Sequence, residues 1–285
     1  MTGTRILVGV DPDPAGQTAL TWAADEAARQ RASLLLLHAW TMFFPAYTDP
    51  KMGSDLIVLL RDRGQRVLEA AAQIVLKRCP HVEVSTVLEE EDPIWALREH
   101  AKSASLLVLG TRPWQESHHI AASPVAGPVI AHVHCPVAVV RENTEPAVPP
   151  FFVAGADGSP TSARALHLAF AQAAAREAAV RVRYAWQPPR LGVLDERAAV
   201  REAEHLLDKE IATARAEHPG VPYDREVVRG HPVEVLSQAA EGALGLVVGT
   251  RGHGGFTGML LGSVSQGVLR HARSHVLVVP EPAAR

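Results

Sequence analysis

The sequence predicts an α/β fold: two open sheets of five parallel strands in tandem, each sandwiched by helices. Three observations predict it. The chain repeats itself, short apolar runs alternate with helix-periodic segments inside each copy, and a proline-rich joint separates the copies. Self-similarity over this length marks a duplicated structural unit.

The repeat is read by sliding the chain on itself. Ile6-Leu7-Val8-Gly9-Val10-Asp11 returns as Phe152-Val153-Ala154-Gly155-Ala156-Asp157, Ala19-Leu20 as Ala165-Leu166, and His38-Ala39-Trp40 as Tyr184-Ala185-Trp186. Later, Leu107-Val108-Leu109-Gly110-Thr111-Arg112 returns as Leu246-Val247-Val248-Gly249-Thr250-Arg251, and Val137–Val140 as Val276–Val279. The first copy carries a short insertion after Trp40. Pro146, Pro149 and Pro150 exclude a helix at the joint. The expected domains are therefore 1–145 and 151–285.

In chain order, the apolar runs of the first copy are Ile6–Val10, Leu34–His38, Val82–Leu88, Leu106–Leu109 and Val137–Val140. Continuous Val/Leu/Ile runs of this length suit strands buried on both faces. Between them Thr18–Arg31, Leu56–Cys79, Ile94–Ser103 and Val125–His132 have helical spacing. Strand–helix–strand alternation of this kind builds a parallel sheet with right-handed crossovers.

Composition narrows the function classes. With 28 Lys+Arg against 31 Asp+Glu, nothing argues for a nucleic-acid surface. Two cysteines, Cys79 and Cys135, make no disulfide framework and suit a reducing compartment. No signal peptide precedes the first apolar run, and no run approaches the roughly 18 residues of a membrane span. The expectation is a soluble, cytoplasmic protein with neither nucleic-acid nor membrane partners.

Ligands of open parallel sheets sit beyond the carboxyl ends of the strands. In the second copy those positions hold Asp157-Gly158-Ser159 after the first strand. After the fourth they hold Gly249-Thr250-Arg251-Gly252-His253-Gly254-Gly255, followed by Gly262-Ser263-Val264 at the start of a helix. Glycines let backbone approach a ligand closely, and a helix start offers unpaired N–H groups to a phosphate.

Gly249-x2-Gly252-x9-Gly262-Ser263 resembles the ATP-binding signature of the universal stress proteins, and the resemblance extends over nearly the whole chain. It implies a Rossmann-like, adenine-nucleotide α-hydrolase-like fold and ATP as ligand, with Mg²⁺ as a shield for the triphosphate but no dedicated metal ligand. By resemblance Asp157 and the backbone at Ala185 face adenine and ribose, with Gly158 in the same turn. Gly249 and Gly252 line ribose and phosphates, together with Arg251, His253 and Gly255 of the loop. Gly262, Ser263 and Val264 hold the phosphate tail, and Gly230-His231-Pro232 matches the family's Gly-x-Pro turn. A stress-linked regulatory role and an unidentified protein partner follow from the same resemblance. The family's last strand often forms a dimer contact, which the two copies here would make within one chain, with further pairing into a homodimer left open.

The first copy departs from the signature. Its equivalent positions are Gly110, Pro113, Ser123 and Pro124, Glu91 stands in place of Gly230, and Trp114 enters the loop. Each proline removes an amide donor. The first copy is read as degenerate, although Asp11 is retained.

Other candidates are set aside. His132-Val133-His134-Cys135 has metal-ligand residue types but is read as a loop before the last strand, His118-His119 as exposed, and Glu89-Glu90-Glu91-Asp92 as a solvated acidic turn. No paired carboxylates or Ser-His-Asp set appears, so no catalytic residue is assigned and His253 is as readily a solvent-exposed loop residue. Two readings of different class stand, an ATP-binding regulatory or sensor module and a protein-association scaffold, with a slow ATPase as a weaker third.

Overall fold

A computed structural model describes residues 4–41, 50–111, 125–142, 146–187, 195–252 and 261–281. In the first copy the strands are β1 (Arg5–Gly9), β2 (Ser33–Ala39), β3 (Val84–Glu89), β4 (Leu106–Thr111) and β5 (Val137–Arg141). Its helices are α1 (Pro14–Gln30), α2 (Pro50–Arg78), α3 (Pro93–Ala101) and α4 (Ala126–Ile130). The second copy repeats the order: β6 (Phe151–Gly155), α5 (Pro160–Ala174), β7 (Ala179–Trp186), α6 (Glu196–Arg215), β8 (Tyr223–Arg229), α7 (Pro232–Ala239), β9 (Gly245–Gly249), α8 (Ser263–His271) and β10 (Val276–Val279).

Helix starts lie earlier than apolar spacing alone places them. The Asp13 side chain accepts the Gly16 N–H and Pro14 occupies the first turn, so α1 begins before Thr18. Asp92 does the same for α3, with Pro93 behind it, accepting from Ile94 and Trp95. Cap and proline together outrank the first apolar residue as a start signal.

The expected pair of parallel five-stranded sheets is present, but the two are continuous. One ten-stranded sheet runs β3-β2-β1-β4-β5-β10-β9-β6-β7-β8, parallel within each half and antiparallel only at β5–β10. There Ala138 faces Leu277, its own counterpart in the repeat, and Val137 and Val139 face Val278 and Val276. Such self-matching is the signature of a two-fold contact, here made within one chain.

Burial alternates along the strands. In β1, Ile6 and Val8 join the apolar cluster beneath α1, α2, α5 and α6, while Leu7 joins that of α3, α4, α7 and α8. Both clusters run across the joint between copies. Each such Leu or Val contributes roughly 1.5–3 kcal/mol by leaving water, so the copies share a core as well as a sheet.

Polar residues on α1 and α5 also meet across the pseudo-two-fold. Glu26, 1% exposed, accepts from Gln172 Nε2 at 2.7 Å and pairs with the Arg176 guanidinium. In the register of the repeat, Glu26 aligns with Gln172 and Gln30 with Arg176. The duplicated positions have diverged into a complementary set. Burial alone would raise the Glu26 pKa, yet Arg176, Gln172 and Arg29 together hold it below the usual carboxylate value.

Candidate functional site

The carboxyl ends of β6 and β9 bring the turn 157–159 against the start of the loop after Gly249. Ala156-Asp157-Gly158 leaves β6, and Gly158 takes φ +82°, the left-handed region that favours glycine. A Cβ there would also stand 2.4 Å from Leu206 of α6. Asp157 Oδ1 accepts the Ser159 N–H at 3.0 Å, and its own N–H donates to Ser162 Oγ at 3.2 Å. Ser159 then caps α5, accepting the Ser162 N–H, with Pro160 in the first turn.

Gly252 is pressed against Asp157: a Cβ at Gly252 would fall 2.1 Å from Asp157 Oδ2. This glycine therefore makes room for the carboxylate, whereas the sequence reading assigns its freedom to ribose and phosphate approach. Gly249 likewise packs on the first turn of α5, where a Cβ would meet Thr161 Cβ at 2.7 Å. Its smallness serves close strand–helix approach.

The backbone from Gly249 to Arg251 is held from two flanks. Thr161 Oγ1 and Ser159 Oγ both donate to the Arg251 carbonyl. From the other side Ser265 Oγ lies 2.7 Å from the Gly249 carbonyl and 3.1 Å from that of Thr250. The Arg251 guanidinium turns outward to Glu281 at 3.4 Å. Residues His253 and Gly255 lie outside the described residues, as do Pro113, Trp114, His118, His119, Ser123 and Pro124 of the first copy.

Gly262 is the N-cap of α8, and its N–H donates to the Thr250 carbonyl at 2.8 Å. The first bond inside the helix runs from Gln266 N–H to the Gly262 carbonyl, so the N–H groups of Ser263, Val264 and Ser265 precede the first intrahelical donor. Asp13, Asp92, Ser159 and Asp195 cap α1, α3, α5 and α6 with side chains; α8 has no side-chain cap. The Ser263 side chain is exposed at this open end, while Val264 packs on the apolar cluster beneath. Ala185 is paired with Val228 in the β7–β8 ladder.

Asp157 is one of three carboxylates that act on Tyr184. Burial raises the Tyr184 pKa, and Asp157, Glu210 and Glu202 add to the rise. Ser162 Oγ bridges toward Glu210, 3.3 Å from each carboxylate oxygen. Sequence reasoning located Ser159 without giving it a role, and missed Thr161, Ser265 and Glu210. The Ser159-Pro160 pair carries a readable N-cap signal; the other three are defined only by partners far along the chain.

The remaining candidates have local explanations. Glu89 pairs with His100 at 2.7 Å, Glu90 with Arg61 at 2.6 Å, and Asp92 caps α3. The acidic run is thus an organised turn more than a freely solvated one. His132 donates through Nδ1 to the Pro128 carbonyl at 2.7 Å, and burial pushes the Cys135 thiol up to about 11. Among the described residues no helix is long and apolar enough to cross a membrane.

Comparison with known proteins adds three findings. The sequence profile of the universal stress protein family matches residues 3–141 and again 152–280. Universal stress protein Rv2623 of Mycobacterium tuberculosis is 31% identical over 97% of this chain and 96% of its own length, and Rv2005c of the same organism is 30% identical over 96% of each. The crystal structure of a universal stress protein from Archaeoglobus fulgidus superposes with a TM-score of 0.73, covering 98% of this chain and 99% of the other at 17% identity, a likeness of fold.

Proposed function

The chain belongs to the universal stress protein family, and on that premise we propose that it is an ATP-binding regulatory module whose second copy, 151–285, holds the nucleotide. The first copy, 1–145, serves as its partner domain. The observation that carries this reading is the open start of α8: Gly262 at the N-cap, three N–H groups ahead of the first intrahelical donor, and the exposed Ser263 hydroxyl. A helix start of this kind favours phosphate through its N–H groups and its dipole.

Asp157 at the other end of the turn gives the site a polarity. Its carboxylate, which with Glu210 and Glu202 acts on Tyr184, repels phosphates and accepts hydrogen bonds from a nucleoside. The triphosphate is thereby directed to α8 and the nucleoside toward Asp157 and the backbone at Ala185. Gly249 and Gly252 shape the wall between them, and Arg251, His253 and Gly255 belong to the loop that would follow the phosphates. Mg²⁺ would accompany the triphosphate as a charge shield. Occupancy is the signal that a protein partner reads.

The test is calorimetric titration of Mg²⁺-ATP into the intact chain. One ATP per chain, abolished or weakened at least tenfold by Gly252→Ala, is expected. Two per chain, or undiminished binding in the variant, would assign the site wrongly. Absence of any binding would favour the scaffold reading, to which the internal β5–β10 pairing lends support.

A further inference from the structure

Arg141 is the last residue of β5, in the first copy, and its side chain reaches into the second. It is 6% exposed, and Nη2 donates to the carbonyl of Leu269 in the last turn of α8. Its backbone N–H donates to His275 Nδ1 at 3.2 Å, just before β10. Main chain and side chain of one residue thus grip both ends of the segment that joins α8 to β10.

This guanidinium is expensive to bury. Among the described residues its Nε has no hydrogen-bond partner, and burial pushes its pKa down to about 10. What compensates the charge is the helix. The last carbonyls of α8 lack intrahelical donors and carry the negative end of the dipole. Ala272 N–H satisfies Val268, and Arg141 satisfies the buried Leu269. An apolar residue would fill this place at lower cost unless the position of the helix mattered.

We propose that Arg141 is a positioning residue through which the first copy sets the α8 helix, and hence the affinity of the phosphate site at its other end. This rests on the reading that α8 receives the triphosphate. α8 has only nine residues, so a shift of its carboxyl end displaces Gly262 and Ser263 at the other. The first copy, lacking the glycine signature, would then act as a built-in effector of the second.

The test compares wild type, Arg141→Met and Arg141→Lys as intact chains, titrated with Mg²⁺-ATP and followed by amide hydrogen exchange without nucleotide. Glu26→Gln serves as a control, because it disturbs the same interface without touching α8. Arg141→Met is expected to weaken ATP about tenfold, on the scale of one charged hydrogen bond, and to speed exchange across α8 while α7 stays unchanged. Arg141→Lys recovers part of both, and it carries the test alone if the Met variant does not fold. Unchanged affinity and unchanged α8 exchange would overturn the proposal. So would an equal loss of ATP affinity in Glu26→Gln, which would reduce Arg141 to general interface stability. If wild type takes up no ATP, the nucleotide reading fails by itself, and α8 exchange in the variants alone decides whether Arg141 holds the helix.

Discussion

Single residues in this site act through the neighbour they leave room for. Gly252→Ala is expected to weaken ATP through displacement of the Asp157 carboxylate, since the added Cβ lands on it. Because Gly252 is exposed, the denaturation midpoint should barely move, and calorimetry beside urea unfolding separates the two. Ser123→Ala, at the first-copy position equivalent to Gly262, should leave ATP binding intact. Gly158→Ala is the opposite case. Positive φ and contact with Leu206 are expected to cost about 1–2 kcal/mol of stability, visible in urea unfolding. The glycine positions were legible from the chain, but their reasons were not, because the atoms that a Cβ would strike belong to residues distant in sequence.

Elements were legible where their signals are local. Strands were marked by apolar runs, and α1 and α3 are sharpened by an Asp-Pro start. What pins α8 to β9 was hidden, since nothing in the sequence distinguishes Ser265 from a surface serine. In the structure its hydroxyl serves the Gly249 and Thr250 carbonyls. Ser265→Ala should cost about 1–3 kcal/mol, the range for leaving a buried polar group unpaired, and should also reduce ATP affinity as the end of β9 loosens. A variant as stable as wild type in urea would show that water replaces the hydroxyl.

The two copies stand or fall together. Glu26→Gln restores identical side chains at the repeat-related positions and leaves Arg176 buried without its anion, which is expected to destabilise the chain by about 3–5 kcal/mol. A single unfolding transition that moves as one would confirm the shared core, and two separate transitions would refute it. Acid acts on the same joint. His275 is partly buried beside Arg141 and Arg176, and burial first, then those charges, lower its pKa to about 4 from 6.5. With its folded pKa below the unfolded value, its neutral form is required by the fold. The associated stability is complete above pH 6.5 and is lost as pH falls from there toward 4, about 3 kcal/mol in all. Glu26, lowered from 4.5, adds a further loss only below that value. His275→Asn keeps an acceptor for the Arg141 N–H and removes the titration, so its unfolding midpoint should change less between pH 7 and 5. A slope equal to that of wild type would show that other groups carry the acid sensitivity.

By itself the sequence determined the duplication, the strand and helix types, the parallel order within each half and the intact signature of the second copy. All of these rest on spacing within a few dozen residues, where backbone geometry and solvent alone select the conformation. The tertiary structure decided the rest: one continuous sheet through Ala138 and Leu277, Asp157 against Gly252, Glu26 with Arg176, and Arg141 at the end of α8. These contacts join residues on the order of a hundred positions apart, and most are polar groups that are stable in burial only where a partner waits. A local pattern cannot supply that partner; only the closed fold brings it within hydrogen-bond reach.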